Sequence, residues 1–282
     1  MYYIIRPMKV LDLHIHGIGD FDTNAQDAGQ IISLCEELAS HSVFDVVLAI
    51  YPAPIPEMRR RMEAVKSAMG VEGGARIHGV HLEGPFLNPE RCGALTPSYF
   101  LTPSVDNLNM LIEGYEEIVK IVTLSPELEG ALDLIEHIRA MGILVNMGHS
   151  DATYEQAEEG FRRGATGITH IFNAQRPFHH RQPGLAGFGL TNPDIYVEVI
   201  ADGLHLHRAT IDLVFRAKPK ERIILVSDCV SRRELVRGLV GGEEPLKSIT
   251  DRLLREGYPE DLVESWAWHN PWQYLALARV PK

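Results

Sequence analysis

The sequence predicts an α/β fold, a (β/α)8 barrel of the TIM type. Three observations carry this. Eight short β-rich runs can be marked along the chain, amphipathic helical stretches fall between them, and the mean spacing is roughly 30 residues, the length of one strand–helix unit. At 282 residues a chain buries roughly three quarters of its unfolded surface, enough for one large core without staples. With no Pro/Gly/Ser linker or low-complexity tract to divide it, the chain reads as one barrel over residues 1–282.

The strands are expected at residues 9–14, 44–50, 76–81, 118–123, 143–147, 167–171, 196–200 and 222–226. These are short β-rich runs, most of them dominated by Val, Ile and Leu, as strands covered on both faces should be. Helices are expected at 27–40, 127–141 and 153–163. In the first, Ile31, Leu34, Cys35 and Leu38 recur at helical spacing and form a core-facing stripe. In the second, Leu128, Leu132, Ile135 and Ile138 share a face, and Gly142 ends the run. Thr153 is an N-cap candidate for the third, which stops at Gly164. Stretches 245–256 and 259–278 supply the last helices of the ring.

Composition excludes several classes. Lys plus Arg total 27 against 38 for Asp plus Glu, a net charge of −11. A balance that acidic argues against nucleic acid or an anionic membrane as partner. Cys35, Cys92 and Cys229 are three scattered thiols with no CxxC pair, which argues against a disulfide framework. The first 13 residues are broken by Arg6, Pro7, Lys9 and Asp12, unlike a signal peptide, and no run approaches the ~20 apolar residues of a membrane span. A cytoplasmic protein is expected.

Chemistry-bearing residues gather where the strands end, the face on which barrel enzymes carry their sites. His14 and His16 stand two apart, so a strand points both to one side. Glu83 follows an apolar strand directly, a costly place for a carboxylate unless something neutralises it. His149, His170 and Asp228 each stand just past another strand. Any one of these can be a hydrogen-bonded rim residue. Together they place N and O donors from separate strands on one face, which packing does not require and a one- or two-metal hydrolytic centre does. Zinc is the leading expectation, with Fe, Mn, Co or Ni as alternatives. His78 and His81 read as hydrogen-bonded strand histidines, Trp266, Trp268 and Trp272 as packing for the last helix, Cys229 as a small buried hydrophobe, and Arg59-Arg60-Arg61 as a solvated helix face.

The ordered motifs HIHG (14–17), HLEGPFLNP (81–89), GHS (148–150), THIFNA (169–174), HHRQPGLAG (179–187), ADGLH (201–205) and SD (227–228) resemble those of the N-acetylglucosamine-6-phosphate deacetylases of the amidohydrolase superfamily. The resemblance runs from about Asp12 onward. It implies removal of an acyl group, acetyl in the family, from the nitrogen of an amino sugar. Glu83, His149 and His170 resemble the ligands of the principal metal, and His14 and His16 those of a second ion. Asp228 looks like the acid/base, and His205 like the residue touching the substrate amide oxygen. Asn173 and Ala174 look like sugar contacts, and Asp202 in ADGLH and Ala94, next to Leu95, are read as further substrate-binding residues. Arg181 matches an arginine that reaches the sugar phosphate, often from the neighbouring subunit, so a homodimer is expected.

The sequence also departs from the family. Too few residues flank the barrel for the family's small β-sandwich, which is therefore expected to be absent. Leu95 stands where a phosphate-binding histidine is usual, Gln175 replaces methionine after FNA, and Cys229 replaces alanine after SD. Two other readings stay open: a different hydrolase on the same barrel, either for another N-acyl substrate or a TatD-like phosphodiesterase, and a non-catalytic barrel.

Overall fold

A computed structural model describes residues 8–235 and 240–278. Eight strands form one sheet in which hydrogen-bonded neighbours run parallel: β1 (Leu11–Ile15), β2 (Asp45–Ile50), β3 (Arg76–Glu83), β4 (Val119–Leu124), β5 (Leu144–Met147), β6 (Gly167–Ile168), β7 (Tyr196–Val199) and β8 (Ile223–Leu225). Strand order follows chain order, as right-handed crossovers in a barrel dictate. The ring closes at its C-terminal rim. There the Asp228 amide donates to the His14 carbonyl, and the amides of His16 and Gly17 both donate to the Cys229 carbonyl, each at 2.9 Å. Asp12 Oδ1 adds an acceptor for the Ser227 amide at 3.3 Å. The closing contacts are thus made by the segments that carry His14, His16 and Asp228.

Around the sheet run α1 (Ala28–Ser40), α2 (Ile55–Ala68), α3 (Val105–Ile112), α4 (Ala131–Ala140), α5 (Tyr154–Arg162), α6 (Gly184–Thr191), α7 (Arg208–Ala217) and α8 (Leu246–Arg255). The stripe on α1 is buried as its spacing implies, and Asp27 caps it by accepting from the Gln30 amide. Thr153 and Gln156 close a reciprocal capping box on α5. The stretch expected at 127–141 becomes helical only at Ala131, because Gly130, in left-handed backbone at φ 80°, is the N-cap. Strand β3 runs two residues beyond its expected end and so includes Glu83, whereas β6 keeps only two residues before the backbone turns away. The last segment is a helix in pieces, Glu260–Glu264, a π turn Ser265–His269, and Asn270–Leu275.

The larger core lies between strands and helices. A second cluster, including Leu11, Leu13, Val47, Leu144 and Tyr274, is packed by Trp268, Trp272 and Leu275, so the tryptophans pack the end of the chain as expected. The other sheet among the described residues is a two-stranded hairpin, Gly17–Ile18 with Phe21–Asp22. No helix among the described residues is long and apolar enough to cross a membrane.

Candidate metal centre and active site

Strand geometry brings the expected residues together. His14 lies on β1 and His16 two residues on, while Glu83 ends β3; all three are buried. Glu83 Oε1 stands 3.1 Å from His149 Nε2, 3.0 Å from His170 Nε2 and 3.5 Å from His14 Nε2, and its Oε2 stands 3.1 Å from His16 Nε2. Asp228 Oδ1 lies 3.4 Å from both His14 Nε2 and His16 Nε2. Two donor groups result, His14–His16–Glu83–Asp228 and Glu83–His149–His170, each with its ligand atoms within 4.8 Å of one another. Glu83 belongs to both.

Three of these residues occupy strained backbone. His149 (φ 47°), His170 (φ 28°) and Asp228 (φ 49°) are all left-handed, as are Phe172 and Ala174 beside them. Such positions cost on the order of 1 kcal/mol each for residues other than glycine. That the strain collects here, immediately after β5, β6 and β8, is what aims the three side chains into the mouth of the barrel.

Bonds behind the rings fix their orientation. His149 Nδ1 donates to the Arg91 carbonyl at 3.0 Å, which fixes the ring with Nε2 facing Glu83. His14 Nδ1 donates to Glu198 Oε2 at 3.2 Å, and Glu198 Oε1 in turn accepts from Asn146 Nδ2 at 2.8 Å. Asn146 accepts from the Tyr274 hydroxyl, so the chain of bonds reaches the last helix. His16 stacks flat on Tyr51, with ring centroids 3.6 Å apart. His81 donates through Nδ1 to the Leu13 carbonyl and accepts through Nε2 from the Thr123 hydroxyl. Burial, with the charge of His14 beside it, pulls His81 down to about 4, so it stays neutral and structural.

The electrostatics show which ligand the donors suit. Burial works against ionising Glu83, but the charge of His14 and hydrogen bonds from His14, His149 and His16 outweigh it and hold the carboxyl well below its usual range. Burial likewise opposes a charged His14, yet Asp228 and Glu83 drive its pKa well above the usual imidazole value. Two buried carboxylates are thus neutralised by imidazoles crowded as close as 3.2 Å, Nε2 to Nε2, between His14 and His16. Neutral imidazole and carboxylate are the donors a divalent cation takes, and such an ion would supply this positive charge without protonating the rings. The residues fit a metal.

A cavity of 160 Å³ opens onto this cluster. Glu83, His149, His170 and Asp228 form its floor, with Asn173, Ala174, Ala94 and His205 on its walls. Of the residues read from the sequence, Asp202 and Arg181 are placed differently. Asp202 stands behind the wall: its Oδ2 accepts from His205 Nδ1 at 2.7 Å, and its Oδ1 takes the amides of Leu204 and His205. Its short carboxylate is used up in turning the ADGLH loop, so it orients His205 and leaves that ring's Nε2 for the cavity. Burial opposes a charge on His205, but the Asp202 hydrogen bond and the charges of Asp202 and Asp228 raise its pKa. Arg181 is exposed and lies outside the cavity of its own chain.

Sequence reading missed Tyr51, which lines the cavity and stacks on His16, and Glu198, the carboxylate behind His14. The signal for Glu198 was present, a lone acid inside the apolar run Tyr196–Val199. Reading Arg59-Arg60-Arg61 as solvated holds for Arg60, which is exposed, and fails for its two neighbours. Arg59 donates to the Met110 and Leu111 carbonyls, and the Arg61 side chain is only 11% exposed. Cys229 is buried, and burial pushes its thiol pKa far up, in keeping with a small hydrophobe.

No family model matches the chain. It is 34% identical over 225 residues to the N-acetylgalactosamine-6-phosphate deacetylase of Escherichia coli O157:H7, covering 78% of this chain and 58% of that protein. It is 36% identical over 222 residues to the N-acetylglucosamine-6-phosphate deacetylase of Vibrio furnissii, covering 78% and 55%. The chain therefore spans little more than half the length of these relatives. Among solved structures, a mutant N-acetyl-D-glucosamine-6-phosphate deacetylase of Mycobacterium smegmatis in complex with N-acetyl-D-glucosamine-6-phosphate superposes with a TM-score of 0.88 at 26% identity, over 95% of this chain and 77% of that one. The N-acetylglucosamine-6-phosphate deacetylase of Thermotoga maritima, at 24% identity and a TM-score of 0.84 over 96% and 80%, shares the fold.

Proposed function

We propose that this chain, a relative of the N-acetylglucosamine-6-phosphate deacetylases by sequence and by fold, is a metal-dependent hydrolase that removes the acetyl group from the nitrogen of an amino sugar. The observation that carries the reading is Glu83, a buried carboxylate shared by two donor groups and facing Asp228 across the cavity. Glu83, His149 and His170 would hold one ion, and His14 and His16, with Glu83 and Asp228 beside them, a second. Zinc is the leading choice for these donors. A divalent ion there would supply Lewis acidity and lower the pKa of water.

The remaining steps belong to the chain. Asp228 is held ionised: burial opposes its charge, but His14 and His16 lower its pKa, so it can take a proton at neutral pH. It accepts one from the attacking water and returns it to the departing amine, acting first as base and then as acid. His205, with Nδ1 committed to Asp202, offers Nε2–H to the carbonyl oxygen as negative charge builds there. Asn173 and Ala174, on the wall beside His170, contact the sugar.

The names of the relatives make N-acetylglucosamine 6-phosphate the first substrate to try. Phosphate binding would rest on Arg181, which a second copy of the chain would have to deliver. The working unit is accordingly read as a homodimer of single barrels in the cytoplasm, acting on a small N-acylated sugar. The test is acetate release from N-acetyl sugars with and without a 6-phosphate, on protein reconstituted with zinc. Glu83→Gln, which deletes the shared anion at nearly constant volume, should lose most bound metal and nearly all turnover. Wild-type protein that folds but takes up no metal would overturn the reading.

A further inference from the structure

The left-handed backbone of His149 (φ 47°) needs partners to hold it, since a residue with a Cβ does not rest there unaided. Several come from the turn after β4. Ser125 Oγ donates to the His149 carbonyl at 2.7 Å, and the Asn88 amide adds a bond to the same carbonyl at 3.2 Å. Glu127 does more. Its Oε1 accepts from the Asp151 amide at 2.6 Å and from Asn88 Nδ2 at 2.9 Å, and its Oε2 accepts from the Ser150 hydroxyl at 2.7 Å. One carboxylate thus ties down both residues that follow His149, together with the loop after β3.

The tied segments lead straight to the site. Arg91, further along the loop after β3, offers its carbonyl to His149 Nδ1, and its Nε donates to Asp151 Oδ1 at 2.7 Å. Gly93 and Ala94, next in that loop, line the cavity. The Ser150 amide donates at 3.1 Å to the carbonyl of Ala174, another residue of the cavity wall. Glu127 itself lies outside the cavity lining and outside both donor groups, so these bonds are its route to the chemistry. A carboxylate suits the task, because all three partners donate and a carboxylate only accepts. In the sequence Glu127 passes as the start of a helix, but α4 begins at Ala131 and Glu127 belongs to the turn before it.

We propose that Glu127 is a positioning residue of the metal centre. By gathering Asn88, Ser150 and Asp151 it sets the His149 backbone so that Nε2 faces Glu83, 3.1 Å away. The inference rests on the metal-dependent reading above and adds to it a residue that touches neither ion nor substrate. The placement of its two oxygens carries the role, and its negative charge does not.

Two conservative variants separate placement from charge. Glu127→Gln loses the charge and keeps the length: its carbonyl oxygen still takes Asp151 and Asn88, and its amide meets the Ser150 hydroxyl, which can accept as well as donate. Glu127→Asp keeps the charge and withdraws both oxygens by one carbon. The probe is cobalt(II), titrated into chelator-treated protein and followed by its visible absorption, with a crystal structure of each variant. Glu127→Asp and Glu127→Ala should bind cobalt about tenfold more weakly than wild type, the lower end of what partners behind metal ligands contribute. Their absorption band should change, and the His149 ring should turn away from Glu83. Glu127→Gln should match wild type in affinity, band and structure. A role through charge reverses that order, so weaker binding by Glu127→Gln than by Glu127→Asp would overturn the proposal. Wild-type affinity and absorption in both Glu127→Asp and Glu127→Ala would overturn it too, and leave the metal reading standing. Wild-type protein that takes up no cobalt, with His149 displaced in Glu127→Asp and unmoved in Glu127→Gln, would overturn the metal reading and leave the hold of Glu127 on His149 standing.

Discussion

At the scale of single residues, the site works by compensation: each buried charge stands against partners that decide its state. Asp228 is the clearest case, since its pKa falls through His14 and His16 in spite of burial. Asp228→Asn keeps the shape and loses the proton carrier, so turnover should fall by at least about 10²-fold while bound metal is largely retained. Steady-state kinetics alongside elemental analysis check this, and near-normal turnover with normal metal would remove Asp228 from the role. Glu198 acts one step back, through His14. Glu198→Ala frees the His14 ring and should weaken metal at the His14–His16 group by about 10- to 100-fold, while Glu198→Gln, still an acceptor for Nδ1–H, should recover part of it. Competition with a metal-sensitive dye separates the two variants. Asp228 was legible in the sequence because a carboxylate right after an apolar strand has few bland explanations. Glu198 was not, because its partner His14 comes 184 positions away, and only the closed ring brings the two together.

At the scale of elements, the strands were easier to read than the helices for a physical reason. A strand covered on both faces is a short and largely apolar run, and most of the eight left that mark, though β3 carries Arg76, His78, His81 and Glu83. Four helices left a weaker one. In α6 the residues from Gly184 to Leu190 are all buried, so no polar face sets a period. In α2 two of the arginines that read as solvated, Arg59 and Arg61, are tied to neighbouring carbonyls. The segment after β8 left no periodic pattern, yet it carries Asp228. It is held by a bridge between Cys229 and Gly242, in which the Gly242 amide donates to the Asp228 carbonyl at 2.7 Å. A Cβ on Gly242 would sit 2.2 Å from the Ser227 carbonyl oxygen, so the backbone of one strand must move. Gly242→Ala should therefore displace Asp228 and lower kcat by tenfold or more. A crystal structure of the variant, with kinetics, checks both parts, and an unmoved Asp228 with full activity would refute the link.

At the scale of the whole molecule, the candidate metal cluster and the closure of the barrel are one feature. Ligand candidates come from β1 and β3 and from the segments after β5, β6 and β8, and the bonds joining the first and last strands pass through His14 and Asp228 themselves. An ion bound there would tie together parts of the chain more than 200 residues apart in sequence, from His14 to Asp228. Without it, the folded state must confine two carboxylates with crowded imidazoles, at a cost the unfolded chain does not bear. Anything that binds the folded state alone stabilises it by mass action, about 2.7 kcal/mol at a hundredfold excess over Kd. For a domain of this size each kcal/mol moves Tm by roughly 2–4 °C. Stripping the metal with a chelator should therefore lower Tm by about 5–10 °C, and zinc should restore it. Glu83→Gln should start low and respond to neither treatment, because the residue shared by both donor groups is gone. Arg181→Ala, at an exposed side chain outside the cavity lining, should respond as wild type does. Differential scanning calorimetry on the three proteins decides the matter. A wild-type Tm indifferent to chelator and to zinc would show that the ring closes without an ion, and that the donors converge for some purpose other than holding one.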